Sequence, residues 1–228
     1  MTSVVHNNLH TTTNFHLFET LYGAKDNGLR HLERHLARLD RSARALGFKC
    51  QIDRVRCEAL ERSAELPTGL PHRVRISLEK SGEIQIQSSP MQTLDDGPVK
   101  IVLASDWGFA PQPSNDPLLL HKTSLRNEYD RAWKMAESAA AFDLLFCNDR
   151  GELTEGGRSN VFLRLDGRWW TPPLSSALLP GIMREVLLED QQFGASERVL
   201  YLNDLEKAED IILCNSLRGA LQAQLRKK

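Results

Sequence analysis

Four short segments carry residues whose types and spacing could do chemistry. Lys122 stands in LLLHKTSLRNEYD, just behind an apolar triplet and just ahead of a helical pattern. An ammonium there is costly to bury unless it is neutralised, paired or used covalently. Taken alone, the position reads first as a surface lysine whose stem covers apolar neighbours. Glu155 stands in GELTEGGRSN between two strand signals, where Gly156 and Gly157 would let the backbone approach a ligand closely or take positive φ. Its plain alternative is a loop acid in a hairpin. Arg38 lies on a helical segment beside Arg34, His35, Arg41 and Ser42, off the apolar stripe, where arginines are usually only solvated. Residues 178–184, LLPGIMR, set Pro and Gly at a helix start, where free amides and the helix dipole suit a phosphate.

Other chemistries find less support. Cys50, Cys57, Cys147 and Cys214 form no CxxC pair, so free, mostly buried thiols are expected rather than a metal or redox site. His6, His10, His16, His31, His35, His72 and His121 are scattered, and only His121 adjoins a residue of interest. The chain has 228 residues, 41% hydrophobic, with 29 Lys+Arg against 30 Asp+Glu and a net charge of -1. Such a balance argues against nucleic-acid or anionic-membrane partners. No run reaches the length of a membrane span, and the start lacks the order of a signal peptide, which predicts a soluble, cytoplasmic protein.

The elements that must position these residues follow from periodicity. Leu29, Leu32, Leu36, Leu39, Ala43 and Leu46 alternate steps of three and four and are closed by Gly47, predicting one amphipathic helix. A second helix is predicted over 53–65. HRVRISLEK and the return through Ile84 and Ile86 read as a hairpin, followed by a strand VKIVLA. Residues 105–118 concentrate Pro, Gly, Ser, Asn and Asp, which places a linker there between lobes 1–104 and 119–228. Beyond it come a helix from about 123 to 141, a strand DLLFCN, and the pair SNVFLRL and RWWTPP joined by Asp166-Gly167. A helix from Pro180-Gly181, a strand SERVLYL, a helix NDLEKA and a strand DIILCN complete the pattern.

Taken in order, FETL (18–21), HLxRL with Arg38, HKT with Lys122, GELTEGxxSN (151–160), TPPL with LLPGIMR (171–184) and ILCNS (212–216) resemble the fold-type IV pyridoxal-phosphate enzymes. That family comprises branched-chain and D-amino-acid aminotransferases and 4-amino-4-deoxychorismate lyase. The resemblance implies a two-lobed α/β (α+β) fold, a small-molecule substrate, a homodimer and pyridoxal 5'-phosphate as cofactor. By it, Lys122 is the lysine that bonds the cofactor and then transfers protons, and Glu155 pairs with the pyridine nitrogen. Arg38, Gly181, Ile182, Met183 and Ser216 surround the phosphate, and Asn160 braces the loop of Glu155.

Within the family, Cys214-Asn215 and the strings LERHLARLDRSARALGF and HRVRISLEKSGEI are similar to aminodeoxychorismate lyases, in particular domains fused behind aminodeoxychorismate synthase component I. This similarity implies formation of 4-aminobenzoate and pyruvate for folate biosynthesis, and a functional link to the synthase. Asn215 is then the expected subgroup determinant, with Arg218 and Arg75 as candidates for the substrate carboxylates. Tyr129 follows Lys122 by seven positions (129 − 122 = 7), displaced from the usual aromatic, so contact with substrate and plain helix packing both remain open. An aminotransferase on branched-chain or D-amino acids is the alternative, and a non-catalytic cofactor- or metabolite-binding protein a third.

Overall fold

Gly47 stops the first helix in the expected way: with φ at 70° its N–H returns to the Ala43 carbonyl, a left-handed conformation glycine adopts without strain. The computed structural model describes residues 14–226, so His6, His10 and the start of the chain lie outside the described residues. Helix α1 runs over Leu32–Leu46, three residues later than the apolar stripe begins. Leu29 instead belongs to the short strand β2 (Gly28–Leu29), which pairs with the end of β1 (Leu17–Ala24). His31, at φ 56°, makes the turn between strand and helix.

Helix α2 (Ile52–Ala64) and the hairpin β3 (His72–Leu78) and β4 (Ile84–Pro90) follow as predicted. Strands β1 to β4 form an antiparallel sheet in the order β2-β1-β3-β4. Leu17, Leu21, Ile76 and Leu78 point to the helices and meet Leu36, Leu39 and Val55 in one core. Each of these fully buried side chains contributes roughly 1.5–3 kcal/mol. Phe18 and Thr20 alternate with this set, and Arg75 sits opposite Thr20 in the register, so all three lie on the other face of the sheet.

The second sheet is built from β5 (Val99–Leu103), β6 (Asp143–Cys147), β7 (Leu153–Gly156), β8 (Asn160–Leu165), β9 (Arg168–Thr171), β10 (Ser196–Glu197), β11 (Asp210–Asn215) and β12 (Gly219–Leu225). Their order is β10-β9-β8-β11-β12-β5-β6-β7, and β7 also pairs with β8. That last pairing joins the two ends of a six-strand run into a closed barrel filled by Ile101, Leu145, Leu153, Val161, Leu163 and Leu213. Helices α3 (Asn127–Ser138) and α4 (Ile182–Glu189) cover its outside, the first over Leu144 and Phe146, the second near Phe162 and Cys214.

Several expectations shift. Strand β5, assigned on sequence to the first lobe, pairs with β6 and β12, so the chain passes from one sheet to the other over residues 91–98 rather than 105–118. Its apolar Ile101 is buried in the core of the larger sheet, with Val99 and Leu103 packed against that core. The run SERVLYL contributes only Ser196–Glu197 as strand, while β12 carried no sequence signal strong enough to be expected. The β8–β9 turn is as expected, with Asp166 at φ 51° and Gly167 at 73°. Of the thiols only Cys214 is fully buried, and Cys57 is exposed.

Candidate active site

The segment around Lys122 is held where the two sheets meet. Phe18 N–H donates to the Lys122 carbonyl at 3.0 Å and Ser124 N–H to the His16 carbonyl at 2.9 Å, so residues 122–124 run along the free edge of β1. The Lys122 side chain is thereby placed with Nζ 4.7 Å from the centre of the Phe18 ring. Removal from water first, then the charges of Arg126 and Arg38, push its amine down to about 7, against the opposing pull of Glu19 and Glu155. Few lysines are neutral at such pH, and a neutral amine is a nucleophile and a base.

Glu155 occupies the seam where the barrel closes, because Glu155↔Asn160 is the register of the β7–β8 pairing. It lies on a buried strand rather than in a loop. Tyr129 donates its hydroxyl to Oε1 at 3.0 Å, and Asn160 Nδ2 lies 3.3 Å from Oε2 and 3.0 Å from the Leu179 carbonyl. Burial pushes the carboxyl up to about 7, only partly offset by the Leu179 amide, Tyr129 and Lys122. Among the described residues its side-chain partners are the neutral Tyr129 and Asn160, a setting that suits pairing with a protonated ring nitrogen. The loop behind it is tied by the buried Asp143, which accepts from Gly157 N–H, Arg158 N–H and, at 2.5 Å, the Ser159 hydroxyl. Gly156 and Gly157 do not take positive φ. They serve close approach, since a Cβ on Gly156 would come 2.3 Å from Asp143 Oδ2.

Arg38 departs most from its expected setting: it is buried, not solvated, on the flank of α1 that faces β1. Its Nε and Nη2 fork onto Glu19 at 2.9 and 2.6 Å, and Nη1 donates to the Pro180 carbonyl at 2.8 Å. Glu19 also lies 2.6 Å from His35 Nδ1. Burial alone would raise the Glu19 carboxyl, but Arg38 and His35 outweigh it and hold it at about 2. Neither Glu19 nor His35 was singled out by type, although both stand inside quoted motifs, FETL and HLxRL. The contact with Pro180 sets the guanidinium beside the start of α4, where Gly181 is the N-cap and no side chain caps the amides of Ile182 and Met183.

Two predictions arise here. Glu19→Ala leaves a buried guanidinium unpaired and should cost about 3–5 kcal/mol in chemical denaturation, far more than a surface pair. A loss under 1 kcal/mol would show that Arg38 finds another partner. Gly181→Ala drives a Cβ to 1.9 Å from Asn160 Oδ1, so Asn160 must move off Glu155 and Leu179. A drop of about 1–3 kcal/mol is expected from the overpacking, visible as a lower melting temperature together with weaker phosphate binding.

The other expected residues are more dispersed. Tyr129 packs its ring edge-on against Phe146, the packing role left open for it, and in addition donates its hydroxyl to Glu155. Ile182 is buried and Met183 packs beside Leu187, so both offer the start of α4 only backbone amides. Ser216 lies half-buried in the turn between β11 and β12. Asn215 spends its amide in the same turn, accepting from Leu217 and Arg218 N–H and donating to the Arg158 carbonyl. Arg218 donates to the Gln92 carbonyl at 2.6 Å.

Residues 16–225 match the model of the family described as amino-transferase class IV. The chain belongs to that family. A Schizosaccharomyces pombe protein provisionally named aminodeoxychorismate lyase is 34% identical over 216 residues, covering 92% of this chain and 89% of the relative. The crystal structure of a provisionally named amino-acid aminotransferase from Mesorhizobium loti superposes with a TM-score of 0.83 at 33% identity, covering 93% of this chain and all of that one. An aminotransferase from Brucella abortus bound to the cofactor PLP superposes at 0.78, with 20% identity and 92% and 80% of the two chains covered. Class IV enzymes use pyridoxal phosphate, and the residues present fit it. Lys122 offers an amine pushed down to about 7, Glu155 a buried carboxyl held by Tyr129 and Asn160, and the uncapped amides of α4 beside Arg38 an anion site. Among the described residues no helix is long and apolar enough to cross a membrane.

Proposed function

We propose that this class IV enzyme is a 4-amino-4-deoxychorismate lyase, releasing 4-aminobenzoate and pyruvate. The observation that carries it is the buried Lys122 amine, pushed down to about 7, coupled in one site to the buried carboxyl of Glu155, which suits a protonated ring nitrogen. The lyase rather than the aminotransferase is favoured by the likeness to the S. pombe protein along nearly all of both chains and by Cys214-Asn215.

When bound, pyridoxal phosphate supplies a sink for the electron pair left by a broken C–H bond. Lys122 Nζ takes the proton from the ring carbon that bears the substrate amine. Glu155 keeps the proton on the pyridine nitrogen by pairing with it, and Tyr129 and Asn160 hold Glu155 in place. Aromatisation of the substrate ring expels the enolpyruvyl group, and Lys122 Nζ returns its proton to the enol carbon, giving pyruvate. Arg38 and the α4 amides fix the phosphate and take no part in proton transfer. A homodimer in the cytoplasm, supplied by aminodeoxychorismate synthase, is the setting this reading implies.

The test is the product. Enzymatically generated aminodeoxychorismate should yield pyruvate and 4-aminobenzoate with no amino acceptor present. Turnover that requires 2-oxoglutarate or another keto acid would establish the aminotransferase reading, which the M. loti relative favours.

A pH prediction separates both from a mere surface lysine. With its pKa near 7, about half of Lys122 is neutral at neutral pH, against roughly one in three thousand for an ordinary lysine. Capture of pyridoxal by the apoprotein should therefore rise about tenfold per pH unit below 7 and level off above it. A rise continuing to pH 10 in stopped-flow absorbance would contradict the depressed amine.

A further inference from the structure

Three cationic groups surround one aromatic ring in this site. Around Phe18 lie the guanidinium carbon of Arg75 at 3.8 Å, the Lys122 amine at 4.7 Å and the guanidinium carbon of Arg126 at 5.8 Å from the ring centre. Phe18 is on β1 and Arg75 on the same face of the adjoining β3, while Arg126 caps the start of α3, so three elements converge there. Arg126 was not a candidate on sequence.

Arg126 is anchored from behind. Its Nε donates to Asp130 at 2.8 Å, and Nη2 donates to the Gly157 carbonyl at 2.6 Å, in the loop that follows Glu155. This leaves Nη1 and one N–H of Nη2 without an acceptor among the described residues. Arg75 makes no ion pair among them; its nearest polar contact is His16 Nε2, 3.4 Å from Nη2. Burial, and then repulsion from Arg73 and Arg126, lower the Arg75 guanidinium from its usual value, the mark of a cation short of an anion. Asp130 is the one carboxylate bonded to the pair, and it is occupied on the outer side of Arg126.

We propose that Arg75 and Arg126 together form the subsite that receives a substrate carboxylate. The proposal rests on Lys122 as the residue that meets the substrate amine, and it names the ligand class as an amine that carries a carboxylate away from the reacting carbon. Two guanidinium groups at an apolar ring suit a carboxylate attached to a flat carbon ring, the ring resting near Phe18 and the oxygens bridging the forks.

The test uses the holoenzyme and two unreactive probes, benzoate and its neutral isostere benzamide, titrated by calorimetry. Wild type should bind benzoate at least about tenfold tighter than benzamide. Arg75→Gln and Arg126→Gln should each weaken benzoate about tenfold and leave benzamide unchanged, as lost charge-assisted hydrogen bonds predict. Arg126→Lys, which keeps the charge but not the fork, should fall between. Arg54→Gln on exposed α2 serves as the net-charge control. With substrate, Arg75→Gln should raise KM about tenfold with kcat within threefold, the pattern of binding shared by ground and transition states.

Unchanged benzoate affinity in Arg75→Gln overturns the proposal, and so does an equal loss for benzamide, which would mean a packing role. Because Arg75 lacks the structural bonds of Arg126, its variant decides the matter even if Arg126→Gln fails to fold. Failure of the lyase assay with the benzoate preference intact would instead overturn only the choice of reaction and leave the subsite standing.

Discussion

Lys122→Ala should abolish turnover, by at least about ten-thousandfold, and remove the visible absorbance of the protein-bound cofactor at the same time. Proton transfer by a positioned base is worth about 10²–10⁴-fold and covalent capture adds to it. In this site both fall to one amine. The replacement removes no structural bond, because the segment is held to β1 through the Lys122 carbonyl and not through its side chain. The variant should therefore fold, and phosphate contacts by Arg38 and α4 should still retain pyridoxal phosphate, with weaker affinity and an absorbance like that of the free aldehyde. Turnover within tenfold of wild type, measured by pyruvate release, would end the assignment of Lys122.

Glu155→Gln should lower kcat by about 10²–10³-fold with little loss of stability. Glutamine has the same shape and can still accept from Tyr129, but its amide cannot compensate a positive ring nitrogen, so the electron pair left by proton abstraction loses its sink. Groups that stabilise charge in a water-excluded site are typically worth that much. Burial makes the carboxyl unusually basic, at about 7, which a bound cationic ring would reverse. In the wild-type holoenzyme the Glu155 side chain should stay ionised to well below that value. A cofactor absorbance band whose pH dependence is unaffected by Glu155→Gln would show that the two do not pair.

Part of this was legible residue by residue. The apolar steps of Leu32, Leu36 and Leu39 with Gly47 behind them describe α1, and Asp166-Gly167 between apolar runs describes the β8–β9 hairpin. These are local effects, since a 3.6-residue period or a left-handed turn involves neighbours in sequence. Lys122, Glu155 and Arg38 were legible as a set only through the order of motifs, because singly each has a commoner bland explanation. The bond from Tyr129 to Glu155 was not legible for the same reason: its spacing from Lys122 says nothing of Glu155, which comes from a separate strand.

Residue order by itself determined where α1 stops, the β3–β4 and β8–β9 hairpins, the ordered motifs of a phosphate-binding pyridoxal enzyme, and the near-neutral net charge. Tertiary structure alone decided which polar groups lose water together. Arg38 looks solvated on its helix until β1 brings Glu19 against it, and Arg126 looks like a helix-surface arginine until β1 and β3 bring Phe18 and Arg75 beside it. The reason is physical: desolvation and Coulomb attraction depend on distance through space, and the closing of the barrel at Glu155↔Asn160 sets those distances between residues far apart in the chain.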